Sequence, residues 1–263
     1  VLDTGSSIVV DGEKRLLEDH HRNILKGFYS VFKAADANLQ FVLLTGVTKF
    51  SQVSVFSGFN QPEDISMSRD YEALCGITEE ELYSYFAEPI AELAEDNDCS
   101  VNEMKQMLKK QYDGYHFGKR MTDIYNPFSI LNACKSCNID DYWFRSGTPS
   151  YLIRLLNHTQ ENLNELTGKY YDTSEFIDYK ADVEKPLPMI FQSGYLTVKG
   201  FDREMNTYLL DFPNNEVKKG FVTMVANDYL KVKDKAGSWA RDIVGALKTG
   251  DLEQFRKLLT SFL

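Results

Sequence analysis

Residues 41–51, F-V-L-L-T-G-V-T-K-F-S, constrain the fold more than any other stretch of the chain. Phe41, Val42, Leu43 and Leu44 form a continuous apolar run behind a helical pattern. A run apolar on both faces is predicted to be an inner strand of a parallel sheet covered by helices. It breaks abruptly into Thr45, Gly46, Thr48, Lys49 and Ser51. Hydroxyls and an amine thus gather at the carboxyl end of the run, where ligands sit in open α/β sheets. Two readings fit this pattern: a strand tip that positions a water or a phosphate, and an ordinary exit from strand to loop.

Upstream, Leu16, Leu17, Ile24, Leu25, Phe28, Val31, Phe32 and Ala35 recur at helical spacing, which predicts a long helix over 13–35 lying on that sheet. Residues 1–12 read as irregular, with a turn at Asp11-Gly12. His20 and His21 are neighbours on the helix, point to different sides and suit solvent or packing rather than one metal. After a turn at 61–64, Ile65, Ser66 and Met67 predict a last short strand.

From there the α/β pattern gives way to helices. Thr78 with Glu81, and Ser100 with Glu103, are capping-box signatures, and Pro89 should break or kink the first of those helices. Asn126-Pro127 predicts a helix start with an Asn cap and Pro at the first position, and Thr148-Pro149 predicts another. Residues 157–185 are polar and read as a connection with a short helix. Two β-rich runs, 195–198 and 207–210, flank a polar loop and predict a hairpin. Helices followed by a hairpin suggest a winged-helix-like module. Asn214 and Asn215 then cap a helix, and two more are expected, about 239–248 and 252–263. The expected organisation is three parts: an α/β part over 1–75, a helical lid or connecting region over 76–185, and the hairpin with its C-terminal helices over 186–263.

A net charge of −10 and a pI near 5.0 argue against a broad electrostatic grip on nucleic acid. No apolar run approaches the roughly 20 residues of a membrane helix. The four cysteines, Cys75, Cys99, Cys134 and Cys137, are too few and too scattered for a secreted disulfide scaffold, so a reduced, cytoplasmic setting is expected. Cys134 and Cys137 form a C-x-x-C, but no second pair or spaced histidines complete a zinc set. They are read as chance thiols.

Several blocks carry a family resemblance. T-G-V-T-K-F-S, V-F-S-G-F-N, L-C-G-I-T-E-E-E-L, Y-D-G-Y-H-F (112–117), Y-N-P-F-S-I-L (125–131), W-F-R-S-G-T-P (143–149), F-Q-S-G-Y-L-T (191–197) and F-P-N-N-E-V (212–217) occur in order. Together they resemble the bacterial AAA-ATPase-like proteins, in which a P-loop NTPase domain is fused to a nuclease-like domain of the PD-(D/E)xK class. The resemblance implies that Thr45 and Thr48 stand on the sensor strand and orient the terminal phosphate or its attacking water. It also implies that Gly46 and Lys49 lie near nucleotide. Asp113 and His116 either pack the helical region or face nucleotide.

The phosphate cradle G-x-x-x-x-G-K-[ST] does not occur in this sequence. In such relatives an acidic, magnesium-holding strand end comes just before the segment resembling Val1-Leu2-Asp3. The chain therefore reads as a middle fragment of an α/β P-loop NTPase followed by a mainly α region. ATP and Mg are expected for the intact protein and no cofactor for the fragment alone. Its expected partners are the missing NTPase and nuclease-like portions of the same protein, which it would couple. The competing reading is a non-catalytic module that binds nucleic acid or a protein partner. A nuclease site in this chain would rest on Asp211 with Glu216 and Lys218, whose spacing is too short for a catalytic hairpin. Glu216 at a helix start is instead explained by the helix dipole.

Overall fold

The computed structural model describes residues 6–46, 63–145, 152–153, 156, 166–177, 186–225 and 236–260. Its contacts divide the chain into two units, Val1–Lys218 and Lys219–Leu263.

The first unit opens on a hairpin rather than an irregular lead. Strands β1 (Ser7–Val10) and β2 (Glu13–Leu16) pair antiparallel, Val10 opposite Glu13. Asp11 and Gly12 both take positive φ, 53° and 83°, the backbone a two-residue Asp-Gly hairpin turn requires. The expected helix over 13–35 is therefore shorter, α1 (Leu17–Ala34), because its first turn is drawn into β2. Its apolar stripe faces outward, with Ile24, Phe28 and Val31 all more than half exposed.

The inner strand expected at Phe41–Leu44 does not form. Residues 41–46 have no regular structure, and Phe41 is 79% exposed. A strand apolar on both faces needs backbone partners at its edges and cover on its faces. No described segment supplies either, and every described strand pair is antiparallel. The strand expected at Ile65–Met67 is likewise a turn, closed by the Ser68 amide bonding to the Ile65 carbonyl at 3.1 Å.

The helical part follows its capping signals closely. β3 (Ile77–Thr78) leads into α2 (Glu79–Tyr85), and the Thr78 hydroxyl accepts from the Glu81 amide while Glu81 accepts from the Thr78 amide. α2 stops before Pro89, and α3 (Ala87–Asp96) restarts with that proline in its first turn, where its missing N–H is no loss. α4 (Val101–Tyr112) carries the second capping box, Ser100 with Glu103. β4 (Ile124–Tyr125) pairs with β3, and α5 (Pro127–Ser136) starts behind Asn126, whose side chain accepts from the Phe128 and Ser129 amides. Leu82, Ile90, Leu93, Met104, Leu108, Tyr112, Tyr125 and Ile130 make one apolar core from these helices and β4. Cys99, Cys134 and Cys137 pack against its edge as free thiols. Burial pushes the Cys134 and Cys137 thiols above their usual value, which disfavours the reactive thiolate. A short α6 (Tyr142–Arg145) follows, and the helix start expected at Thr148-Pro149 lies outside the described residues.

The region read as a polar connection holds an unforeseen strand. β5 (Lys169–Tyr171) and α7 (Thr173–Phe176) precede α8 (Leu187–Gln192), and then come β6 (Thr197–Asp202) and β7 (Thr207–Asp211). The expected hairpin β6–β7 is present, and β5 adds to it in the order β5-β7-β6. α7 is fixed by a third capping box, Asp172 with Glu175. α9 (Asn215–Met224) begins behind Asn214, whose side chain accepts from the Val217 amide at 3.1 Å.

In the second unit α10 (Ala236–Thr249) and α11 (Leu252–Thr260) pack as a pair joined at Gly250, which has φ +71°. Among the described residues no helix is long and apolar enough to cross a membrane.

Candidate functional site

Five of the sequence blocks converge on one place in the first unit. Tyr112–Phe117 begins on the last residue of α4, and its Asp113-Gly114 turn brings the chain back against the start of α9. Gly114 has φ +91°, a conformation only glycine adopts freely, and a Cβ there would stand 2.4 Å from the Pro213 carbonyl oxygen. That close approach lets the Lys199 ammonium donate to both the Gly114 carbonyl (2.7 Å) and the Pro213 carbonyl (2.9 Å). The Asn214 side chain completes the joint by donating to the Asp113 carbonyl at 3.0 Å.

His116 is locked into this joint. Its amide donates to the Thr197 hydroxyl (2.8 Å), which donates in turn to the His116 carbonyl (2.9 Å). Nδ1 lies 2.6 Å from the Val198 carbonyl and Nε2 lies 2.7 Å from the Asp123 carboxylate. Both ring nitrogens are thus occupied, one by a backbone carbonyl and one by a carboxylate, and neither is left for a ligand.

The charges around it are ordered by distance. The Lys109 ammonium lies 2.7 Å from Glu79, 3.4 Å from Asp123 and 3.7 Å from Asp113. The Glu79 contact above all holds Lys109 in its charged form well above its usual value. Partial burial pushes Asp123 up, but His116 and Lys109 outweigh it and hold the carboxylate below its usual range. Burial acts on Asp113 and Lys199 in opposite senses, raising the acid and lowering the amine, since each is kept from water in its charged form. Asp113 is only 3% exposed, and neither carboxylate oxygen makes a hydrogen bond of normal geometry.

These groups line a cleft of about 410 Å³. Asp113, Gly114 and Lys199 form part of its wall, with Asp211, the start of α9, and the lysines 110 and 218.

A second buried polar contact lies under the same blocks. Glu216, in the first turn of α9, is fully buried and accepts from the Ser129 hydroxyl and the Trp143 amide, each at 2.7 Å. Burial lifts its carboxyl to about 7, against the pull of those two donors. Glu216 stands in the first turn of α9, where the helix dipole favours a carboxylate, and from there it also ties α9 to α5 and α6. These bonds turn Glu216 toward their donors and away from a metal set with Asp211. Among the described residues no group of three or more metal-ligating side chains comes together.

Of the residues singled out in the sequence, Asp113 and His116 are thus brought into one buried polar joint. Thr45 and Gly46 are exposed at the end of residues 41–46, and Thr48 and Lys49 lie outside the described residues. Sequence reasoning missed Lys109, Asp123, Lys199 and the buried role of Glu216. Only the Lys109–Asp113 pair had a local signal, being four apart on one helix face.

Comparison with known proteins agrees with part of the resemblance. A family model described as AAA-ATPase-like, "Predicted AAA-ATPase", matches residues 8–56, a stretch that contains Thr45, Gly46, Thr48 and Lys49. A protein of Azotobacter chroococcum mcd 1, named "Uncharacterized protein in vnfD 5'region", is 30% identical over 243 residues. The match covers 92% of this chain and 45% of that protein, so the chain spans about half the length of the curated relative it matches. No solved structure matches the chain.

Proposed function

We propose that this chain is the distal portion of an AAA-ATPase-like nucleotide-binding module. In a longer protein it would couple nucleotide state to a nuclease-like domain. The observation that carries this reading is the family match over residues 8–56, which contains the hydroxyl-rich Thr45–Ser51 segment. The exposed apolar stripe of α1 and the exposed run Phe41–Leu44 support it, since both suit burial against further strands of a sheet. Thr45 and Thr48 would face the terminal phosphates in that setting, a positioning role, with Gly46 and Lys49 beside them. The chain's own residues do not fit ATP and Mg at that place. They offer hydroxyls and one amine, with neither a phosphate cradle nor paired carboxylates. Those groups would come from the rest of the longer protein.

The hairpin part fits coupling better than reading nucleic acid. A strand, two helices and a hairpin with the sheet order β5-β7-β6 suit a winged-helix-like module. Yet α8, the helix before the hairpin, buries Leu187, Pro188, Met189 and Ile190. It contains no Lys or Arg and so has no basic face to lay in a groove. The joint from Gly114 to Asn214 ties this module to the helical part by buried polar contacts, which suits passing a conformational change between them.

The test is Thr45→Val in the longer protein, a near-isosteric loss of one hydroxyl. ATP turnover is expected to fall by about tenfold or more, as befits a lost contact to a charged group. Unchanged turnover would remove the role assigned to Thr45.

A further inference from the structure

The cleft beside Asp113 lies away from the Thr45 segment in sequence, and the nucleotide pocket proposed at Thr45–Lys49 does not include it. Its chemistry is unusual for this molecule. In a chain of net charge −10, four lysines, 109, 110, 199 and 218, line one cleft and outnumber its three aspartates, 113, 123 and 211. Lys109 is committed to Glu79 and Asp123, with Asp113 at 3.7 Å. Lys199 gives two of its three N–H groups to the Gly114 and Pro213 carbonyls, which fixes its direction and leaves one N–H toward the cleft. Lys110 and Lys218 are exposed and have no ion-pair partner among the described residues.

The start of α9 adds donors of its own. Asn214 caps the Val217 amide, so the Asn215 and Glu216 amides take no acceptor among the described residues. Free amides at a helix start, with the positive end of its dipole, favour an anion.

Asp113 supplies the independent pointer. It is almost fully buried, lines the cleft and lacks a hydrogen-bond partner on either oxygen. Burial shifts this carboxyl toward its neutral form, against the pull of the Lys109 ammonium 3.7 Å away, and the O–H of that form needs an acceptor. The neighbouring acids are already engaged. Asp123 takes His116 and Lys109, and Asp211 accepts from the Phe212 amide at 2.7 Å. A cation would therefore meet a carboxyl that already lies 3.7 Å from the Lys109 ammonium, with further lysines around it, whereas an oxyanion finds amines, amides and an O–H.

We propose that this cleft binds a phosphate-type oxyanion, gripped by Lys110 and Lys218 at its lip, by the Lys199 ammonium and by the amide end of α9, over the buried carboxyl of Asp113. The source of the phosphoryl group is either a free phosphate compound or a nucleotide, and the two share this recognition.

The test is calorimetric titration of this chain with pyrophosphate and with ATP at low ionic strength. Saturable binding at one site is expected for at least one of them. Tighter binding of ATP assigns the nucleotide as source, and equal or weaker binding assigns the free phosphate. The double change Lys110→Ala and Lys218→Ala, both at exposed positions, is expected to weaken binding by about tenfold or more with unfolding unchanged. Asp113→Asn keeps a donor and is expected to hold the affinity within about threefold. Thr45→Val is expected to leave this binding untouched, so the two sites stand or fall separately. Absence of saturable binding to both compounds, or a double variant that binds as tightly as the parent, overturns the proposal. So does loss of binding in Asp113→Asn, because the amide keeps the N–H that would stand in for the acid's O–H.

Discussion

Replacing Glu216 by Ala is expected to destabilise the first unit by about 3 kcal/mol or more, read as a lowered unfolding midpoint in urea. The carboxyl is fully buried and receives the Ser129 hydroxyl and the Trp143 amide. Truncation leaves both donors without acceptors and opens a cavity where α9 meets α5 and α6. Glu216→Gln fills the same space and keeps one acceptor oxygen, so its cost is expected to be smaller. The two variants also separate packing from charge through pH. Burial raises Glu216 from 4.5 to about 7, so the folded chain keeps a proton that the unfolded chain has lost. The stability it contributes is complete below about pH 4.5, fades as pH rises and is gone above about pH 7, for about 3 kcal/mol in all. Glu216→Gln cannot titrate, and its stability relative to the parent is expected to rise between about pH 4.5 and pH 7. A parallel pH course for the two proteins would show that Glu216 is already ionised in the fold.

Gly114→Ala is expected to be at least as damaging, by about 3 kcal/mol or more. At φ +91° a Cβ is strained in itself, and it would stand 2.4 Å from the Pro213 carbonyl oxygen and 2.8 Å from the Lys199 ammonium. The carbonyl belongs to the backbone just ahead of α9, so it cannot swing aside as a long side chain does. Relief requires the Asp113-Gly114 turn and the start of α9 to separate. That breaks the two Lys199 bonds and the Asn214–Asp113 contact together. Urea midpoints for Gly114→Ala and Gly12→Ala measure how much of the loss is contact and how much is backbone, because Gly12 has φ +83° with nothing within 4 Å of its missing Cβ. Equal losses at the two positions would contradict the close packing assigned to Gly114.

What the sequence made legible was local chemistry. The capping boxes at Thr78 and Ser100, the Asn126-Pro127 start, the Asn214 cap and the β6–β7 hairpin depend on residues within a few positions of each other, and all are present. β5 escaped notice because a three-residue strand beside Gly168 has no alternation to read, and its register comes from β7, far along the chain. The β1–β2 hairpin was readable in Asp11-Gly12, but the helical spacing that follows masked it. Phe41–Leu44 failed for the opposite reason: the local pattern is strand-like, yet strand formation needs neighbours that no described residue provides. The site divides in the same way. Asp113 and His116 stood out within one aromatic block, whereas Lys199 and Glu216 acquire their roles from partners 85 and 87 residues away. Nothing in the sequence near Glu216 distinguishes a buried acceptor from an exposed acid at a helix start.

The proposed division of labour gives this chain the hydroxyl-tipped segment of a nucleotide pocket and leaves the phosphate cradle and the magnesium carboxylates elsewhere. Its most direct test is ATP turnover by this purified polypeptide alone, with Mg present. The account expects no hydrolysis above the uncatalysed background, even where the α9 cleft binds a phosphate compound. Sustained turnover that is lost on Thr45→Val would contradict it, because the chain would then hold a complete nucleotide site.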